Sequence, residues 1–226
     1  MTNATRESAK RWNRTDWLLL GFNAAVLLIV FAVFNRQLPA VVGSHYDING
    51  NQDGTMPKWG FWLLNAGLTV GLPILLKALR YADPRKANYE SFAGFFDLMR
   101  WVLSLFMQGI ILTVILTNLD YQIPIIQIVL GGLGLLWMII GNRLGQVRSN
   151  FFFGIRTPWA LMDEHNWKMT HRLGAKVWFV TGLVMFAACW FAPLSWEVPI
   201  LLACVLVSVA LPVLYSYVLF ARGQAR

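Results

Sequence analysis

Residues 17–35 read WLLLGFNAAVLLIVFAVFN, a run without a single charged side chain. A bilayer core of about 30 Å needs roughly 20 apolar residues in helix, so this stretch is long enough to cross one. It follows a basic leader, Arg6, Lys10, Arg11 and Arg14, which gives it the flank of a secretory signal. Its apolar run is too long for a signal, however, and no small-residue cleavage site follows, so an uncleaved first helix is expected. Five further stretches meet the same test: residues 59–79, 101–118, 123–141, 177–193 and 199–220.

The composition agrees. Of 226 residues, 57% are hydrophobic and 13% charged, with a mean hydropathy of +0.54. Soluble domains are about 45–50% apolar and about 25% charged. Disorder is excluded by the scarcity of charge, and a soluble enzyme of this length has too little interior to hide so much apolar surface. The net charge of +8 would suggest nucleic acid in a soluble protein, but here it reads as a topology code. Of the 19 Lys and Arg residues, all but Arg36 and Lys58 fall on the side that holds both termini. Positive charge stays with the cytoplasm. The expected architecture is an all-α polytopic protein with a bundle of six transmembrane helices, N-in and C-in. Its segments are a leader (1–16), helices 1–2 (17–79) with an outer loop (36–58), a cytoplasmic loop (80–100), helices 3–6 (101–220) with a second cytoplasmic loop (142–176), and a tail (221–226). Trp12, Trp17, Trp59, Trp62, Trp101, Trp178 and Trp196 sit near the expected helix ends, where amphipathic rings anchor in the headgroup layer.

Ion-coupled transport generally needs ionisable groups at membrane depth, and none stands near the middle of any expected span. The amides Asn23, Asn65, Gln108, Asn118 and Gln127 can tie helices together. Frequent glycines point to close packing, and Pro73 and Pro212 to local kinks. Cys189 and Cys204 lie in apolar runs and read as small core residues. There is no HExxH and no phosphate-cradling glycine loop. No catalytic residue, metal or cofactor is expected, and no direct nucleic-acid contact.

Two segments carry more information. The outer loop, RQLPAVVGSHYDINGNQDGTMPK (36–58), places Asp47, Asn49, Asn51 and Asp53 at alternate positions, as in a calcium loop. The match fails at Gln52, where a glycine belongs, and at Lys58, where a bidentate glutamate belongs. A tight polar turn is the favoured reading. The inner loop, GNRLGQVRSNFFFGIRTPWALMDEHNWKMTHRLGAK (141–176), is too long for a connector and too apolar for a tether. Thr157 and Pro158 mark a helix start. Trp159 and Trp167 beside Lys168 and Arg172 suit a short helix at the inner membrane surface. Such a loop either closes the end of the bundle or offers a docking surface to a cytosolic partner.

These two segments resemble the SdpI family of six-span bacterial immunity proteins, whose N-terminal half carries a small outer-loop domain of unknown function. The outer motif comprises His45, Tyr46, Asp47, Gly50, Asp53, Gly54 and Lys58. The inner one comprises Gly141, Asn142, Asn150, Gly154, Arg156, Thr157, Pro158, Trp159, Trp167, Thr170, His171 and Arg172. The resemblance implies a protein of the bacterial cell membrane that protects its producer from a secreted, membrane-active peptide toxin. It also implies a signalling role, in which an autorepressor is held at the inner face when toxin is present. Two other classes stay open. A transporter of a small amphipathic molecule would show a midplane cavity near Asn65 and Gln108. A membrane enzyme would bring His171, Thr170 and Asp163 together. Arg156 likewise has two readings, a cation at the headgroups or on a helix carbonyl, or a partner for Asp163, Glu164 or another protein's carboxylate.

Overall fold

The computed structural model describes residues 12–47 and 49–224. Arg6, Lys10, Arg11 and Arg226 of the expected basic flanks lie outside the described residues. The elements are α1 (Arg14–Phe34), a hairpin of β1 (Val41–Tyr46) and β2 (Gln52–Pro57), and α2 (Lys58–Ala82). A 3₁₀ turn (Lys86–Phe92) then leads into α3 (Ala93–Asn118). It is followed by α4 (Ile125–Leu144), a short α5 (Pro158–Met162), α6 (Glu164–Phe191) and α7 (Leu194–Gln224). Six of these helices are long and apolar enough to cross a membrane. The protein is a polytopic all-α membrane protein.

Several helices run past the apolar stretches read from the sequence. α3 starts at Ala93, because Phe95, Phe96 and Met99 are buried in the cluster that holds Leu144, Val147 and Trp167. The expected 80–100 loop is therefore reduced to a connection around Asp83 and Arg85 followed by helix. α6 starts at Glu164, and Trp167, Thr170 and His171 lie in its first two turns. The short helix after Thr157 ends at Met162, because Asp163 caps a new helix by accepting from the backbone N–H groups of His165 and Asn166, both at 3.0 Å.

The bundle has two halves with different packing. In the second half, α4 crosses α6 at glycines. A Cβ on Gly134 would stand 2.5 Å from the Phe186 nitrogen, one on Gly141 2.6 Å from the Phe179 nitrogen, and one on Gly182 2.7 Å from the Gly134 oxygen. These backbones touch, and only glycine leaves room. Trp137 and Trp178 stack beside the crossing at 4.8 Å.

In the first half, α1, α2 and α3 meet through polar groups. Asp16 accepts Lys77 Nζ at 2.7 Å and Arg100 Nη1 at 2.5 Å, and all three are buried. Arg100 also reaches Asp97 at 3.2 Å, while its Nε and Nη2 have no partner among the described residues. One and two turns along α3, Ser104 accepts from Asn23, and Gln108 donates to the same amide. α2 carries a π turn (Gly67–Gly71) whose Thr69 donates to the Asn65 carbonyl at 2.8 Å. Lys77 and Arg100, read from the sequence as charges at the inner surface, are thus internal ties.

Candidate functional site

The two motif segments occupy opposite ends of the bundle. At one end, β1 and β2 pair antiparallel, with Val42 opposite Met56 and Tyr46 opposite Gln52. Asp47 makes the turn, accepting the N–H groups of Asn49 and Asn51 at 2.8 Å each. Gly50 supplies the positive φ of 81° that closes it. The Asn51 N–H, ahead of its other contacts, holds the Asp47 carboxyl below its ordinary value. This is a polar turn whose carboxylate is already engaged. Asp53 takes a different partner, His45 Nδ1 across the strands at 2.5 Å, and both are largely exposed. Gly54 permits this crossing, since a Cβ there would press on His45 Cβ at 2.8 Å.

The hairpin is anchored to three helices. Lys58 donates to the carbonyls of Asn35 and Leu38 at 3.0 Å each, where α1 ends. Trp62 donates to the Asn35 side chain. Asn118, the last residue of α3, brackets Gly43 by accepting its N–H at 2.7 Å and donating to its carbonyl at 2.9 Å. It also donates to the Tyr46 hydroxyl, whose pKa burial pushes up. Of the seven outer-motif residues, His45 and Asp53 form the exposed pair, and Tyr46, Asp47, Gly50, Gly54 and Lys58 build or anchor the hairpin. Sequence reasoning missed Asn35 and Gly43, read Trp62 as a headgroup anchor, and assigned Asn118 to helix ties. The clue available was an amide at the end of a span rather than within it.

At the other end, Asn150 folds the segment after α4. Its side-chain oxygen accepts the N–H groups of Phe152 (3.1 Å) and Phe153 (2.6 Å) and the Tyr89 hydroxyl (3.1 Å). Asp83 accepts the same hydroxyl and the Phe151 N–H, and Arg85 reaches Ser149 and the Leu161 carbonyl. The 83–89 connection is thereby sewn to the signature segment.

His171 is buried and stacked on Trp167 at 4.1 Å. Its Nε2 accepts the Ile155 N–H at 3.0 Å, which leaves Nδ1 to donate to the Trp167 carbonyl at 2.8 Å. Gly154, at φ 103°, allows this contact, since a Cβ there would lie 2.4 Å from Nε2. Thr157 caps Ala160 and bonds Ser216 of α7. Asn166 joins Ser216 and Thr170, and Trp159 packs on Tyr217 and Phe220. Pro158 opens α5 as its first residue. Arg156 donates to the Phe151 carbonyl at 2.8 Å, a loop carbonyl rather than a carboxylate or a helix end.

The inner motif thus divides by exposure. Gly141, Asn150, Thr157, Trp167, Thr170 and His171 are buried, whereas Asn142, Arg156, Pro158 and Arg172 are exposed. Beside them lies a recess of about 600 Å³ lined by Asn88, Ser91, Gln146, Arg148, His165 and Lys168, among others. His171, Thr170 and Asp163 do not converge, as each serves a separate backbone or side-chain partner. Between Asn65, Thr69 and Gln108 there is about 20 Å³, room for one water and far below the roughly 300 Å³ at which ligand pockets begin.

Comparison with known proteins finds a match at each end. Residues 23–69 match a domain of unknown function, DUF1648, and residues 146–216 match the model of the SdpI/YfhL protein family. The chain is 32% identical over 106 residues to the Immunity protein SdpI of Bacillus subtilis (strain 168), which covers 47% of this chain. It spans about half the length of that curated relative, 51%. No solved structure matches. The SdpI/YfhL match and the six spans place the chain in the cell membrane as a multi-pass protein in contact with lipid.

Proposed function

We propose that the protein is a membrane immunity protein that protects its cell from a secreted, membrane-active peptide toxin. The observation that carries this reading is the relationship to an immunity protein. The geometry supports it by pairing an exposed polar hairpin at one end with a folded signature segment at the other. The first half joins these two ends, because α2 begins at the hairpin and its far end leads into Asp83 and Arg85, which hold the signature segment. Toxin meets the hairpin or the nearby ends of the spans, with His45 and Asp53 as its exposed groups. The finer part of the proposal is a relay. A cytosolic repressor docks at the Asn88–Lys168 recess and at Arg156 and Arg172, and toxin shifts its affinity by favouring one arrangement of the bundle.

Expression in a toxin-sensitive bacterium tests the first part. At verified membrane abundance the chain raises the toxin concentration needed to kill, and unchanged killing would overturn immunity. For the relay, an Arg156→Gln, Arg172→Gln double variant keeps protection but no longer retains repressor in the membrane fraction. Equal retention by wild type and variant would remove that docking surface.

A further inference from the structure

Between α3 and α4, where the two halves of the bundle meet, lies a groove of about 320 Å³. Its lining is wholly apolar and includes Val102, Phe106 and Gly109 from α3 and Ile128, Gly132 and Ile139 from α4. Two glycines shape it. A Cβ on Gly132 would strike the Phe106 ring at 2.8 Å, so Gly132 lets that ring lie flat on α4. Gly109 has nothing within 4 Å of its Cβ position, so its missing side chain is the open floor. From Ile128 to Ile139 the groove runs roughly 16 Å along the helix, about half the thickness of a bilayer core of ~30 Å.

The α4 lining positions, Ile128, Gly132, Leu136 and Ile139, step by three or four residues and so share one face. Four residues beyond Ile139 the same face carries Arg143, at the end of α4 that leads into the signature segment. Its side chain is exposed and forms no ion pair or hydrogen bond among the described residues. An acyl-chain-sized apolar slot thus ends at a free guanidinium, whose fork suits a phosphate.

We propose that this groove is a site for one anionic phospholipid, its acyl chain lying between α3 and α4 and its phosphate on Arg143. The lipid bridges the two halves along the α3–α4 contact. It is distinct from the surrounding bilayer because it fills a defined volume and is held at both its apolar and its charged end.

The test uses delipidated full-length protein in detergent, with native mass spectrometry after adding dioleoyl phosphatidylglycerol, dioleoyl phosphatidylcholine or inorganic phosphate. Wild type retains one phosphatidylglycerol per chain and prefers it over phosphatidylcholine about fivefold. Arg143→Gln loses that preference. Gly109→Phe fills the groove without a clash and loses retention of both lipids, and Gly109→Leu does the same should the larger ring disturb folding. Gly21→Phe, also in open space, and Arg36→Gln, at the other end, retain lipid as wild type does. Lipid adducts that never saturate, or that are equal in wild type and Gly109→Phe, would overturn the site. Phosphate that binds alone and displaces the lipid would reduce it to a plain anion contact and overturn the acyl-chain half.

Discussion

Helices α4 and α6 meet through Gly134, Gly141 and Gly182, whereas α1, α2 and α3 meet through Asp16, Lys77 and Arg100. The first contact is backbone on backbone. It has one good arrangement, because any rotation drives a carbonyl into its neighbour. The second is a set of charges and amides that can exchange partners, and two nitrogens of Arg100, Nε and Nη2, have no partner among the described residues. Under the proposed relay, the C-terminal half is the fixed platform and the N-terminal half the part that holds two arrangements. A relay from hairpin to signature segment needs that division, since α2 and the Asp83–Tyr89 connection lie between them.

The largest effect is expected at Asp16. Asp16→Ala strands Lys77 and Arg100 in a buried site, and breaking such a cluster costs about 3–5 kcal/mol. Thermal unfolding in detergent should show it. A triple variant, Asp16→Leu, Lys77→Met and Arg100→Met, returns stability to the wild-type level, because matched apolar groups remove the desolvation cost along with the attraction. If Asp16→Ala alone were neutral, the charges would be solvated in place and the contrast between the halves would fail.

A smaller loss sharpens the other side of the comparison. Gly182→Ala adds one methyl group 2.7 Å from both the Gly134 oxygen and the Met138 nitrogen, and overpacking of this kind costs about 1–3 kcal/mol. Gly21→Ala, facing open space on α1, should be neutral or slightly stabilising by the same measurement, since alanine favours helix. Equal effects at the two sites would mean that α4 and α6 can separate, and the fixed platform would be lost.

The spans were legible because apolar length is a one-dimensional property. Residues 17–35 need no partner to be recognised as a span, and α1 covers Arg14–Phe34. The helix starts were not, because Phe95, Phe96 and Trp167 continue their helices only by packing on one another across long sequence separations. Lys77 and Arg100 were misread, and Asp16 passed over, for the same reason. Each stands near a span end, where a lone charge is ordinary, and only the crossing of three helices makes them one cluster. At the candidate site the motif residues were legible but their roles were not. Gly154 and His171 look like separate signature positions until the fold presses one against the other. Asp83, Arg85 and Tyr89, which hold the signature segment, carry no local mark of that task.

The smallest effect tests whether the exposed hairpin has a local order of its own, apart from either half of the bundle. The Asp47 carboxyl lies below its ordinary value of 3.8, chiefly because it accepts the Asn51 N–H. A depressed folded-state value means that the turn's contribution is fully present above 3.8 and fades as pH falls through the lower folded value. The group is open to solvent, so the whole protein's unfolding should barely move. The amide signals of Asn49 and Asn51 report the turn directly. In wild type they stay protected from hydrogen exchange at pH 5 and lose that protection on acidification below 3.8. Asp47→Asn keeps one acceptor oxygen and cannot titrate, so its weaker protection should be flat over the same range. A wild-type profile as flat as the variant's would show that the strand pairing alone, rather than the Asp47 carboxylate, sets the turn.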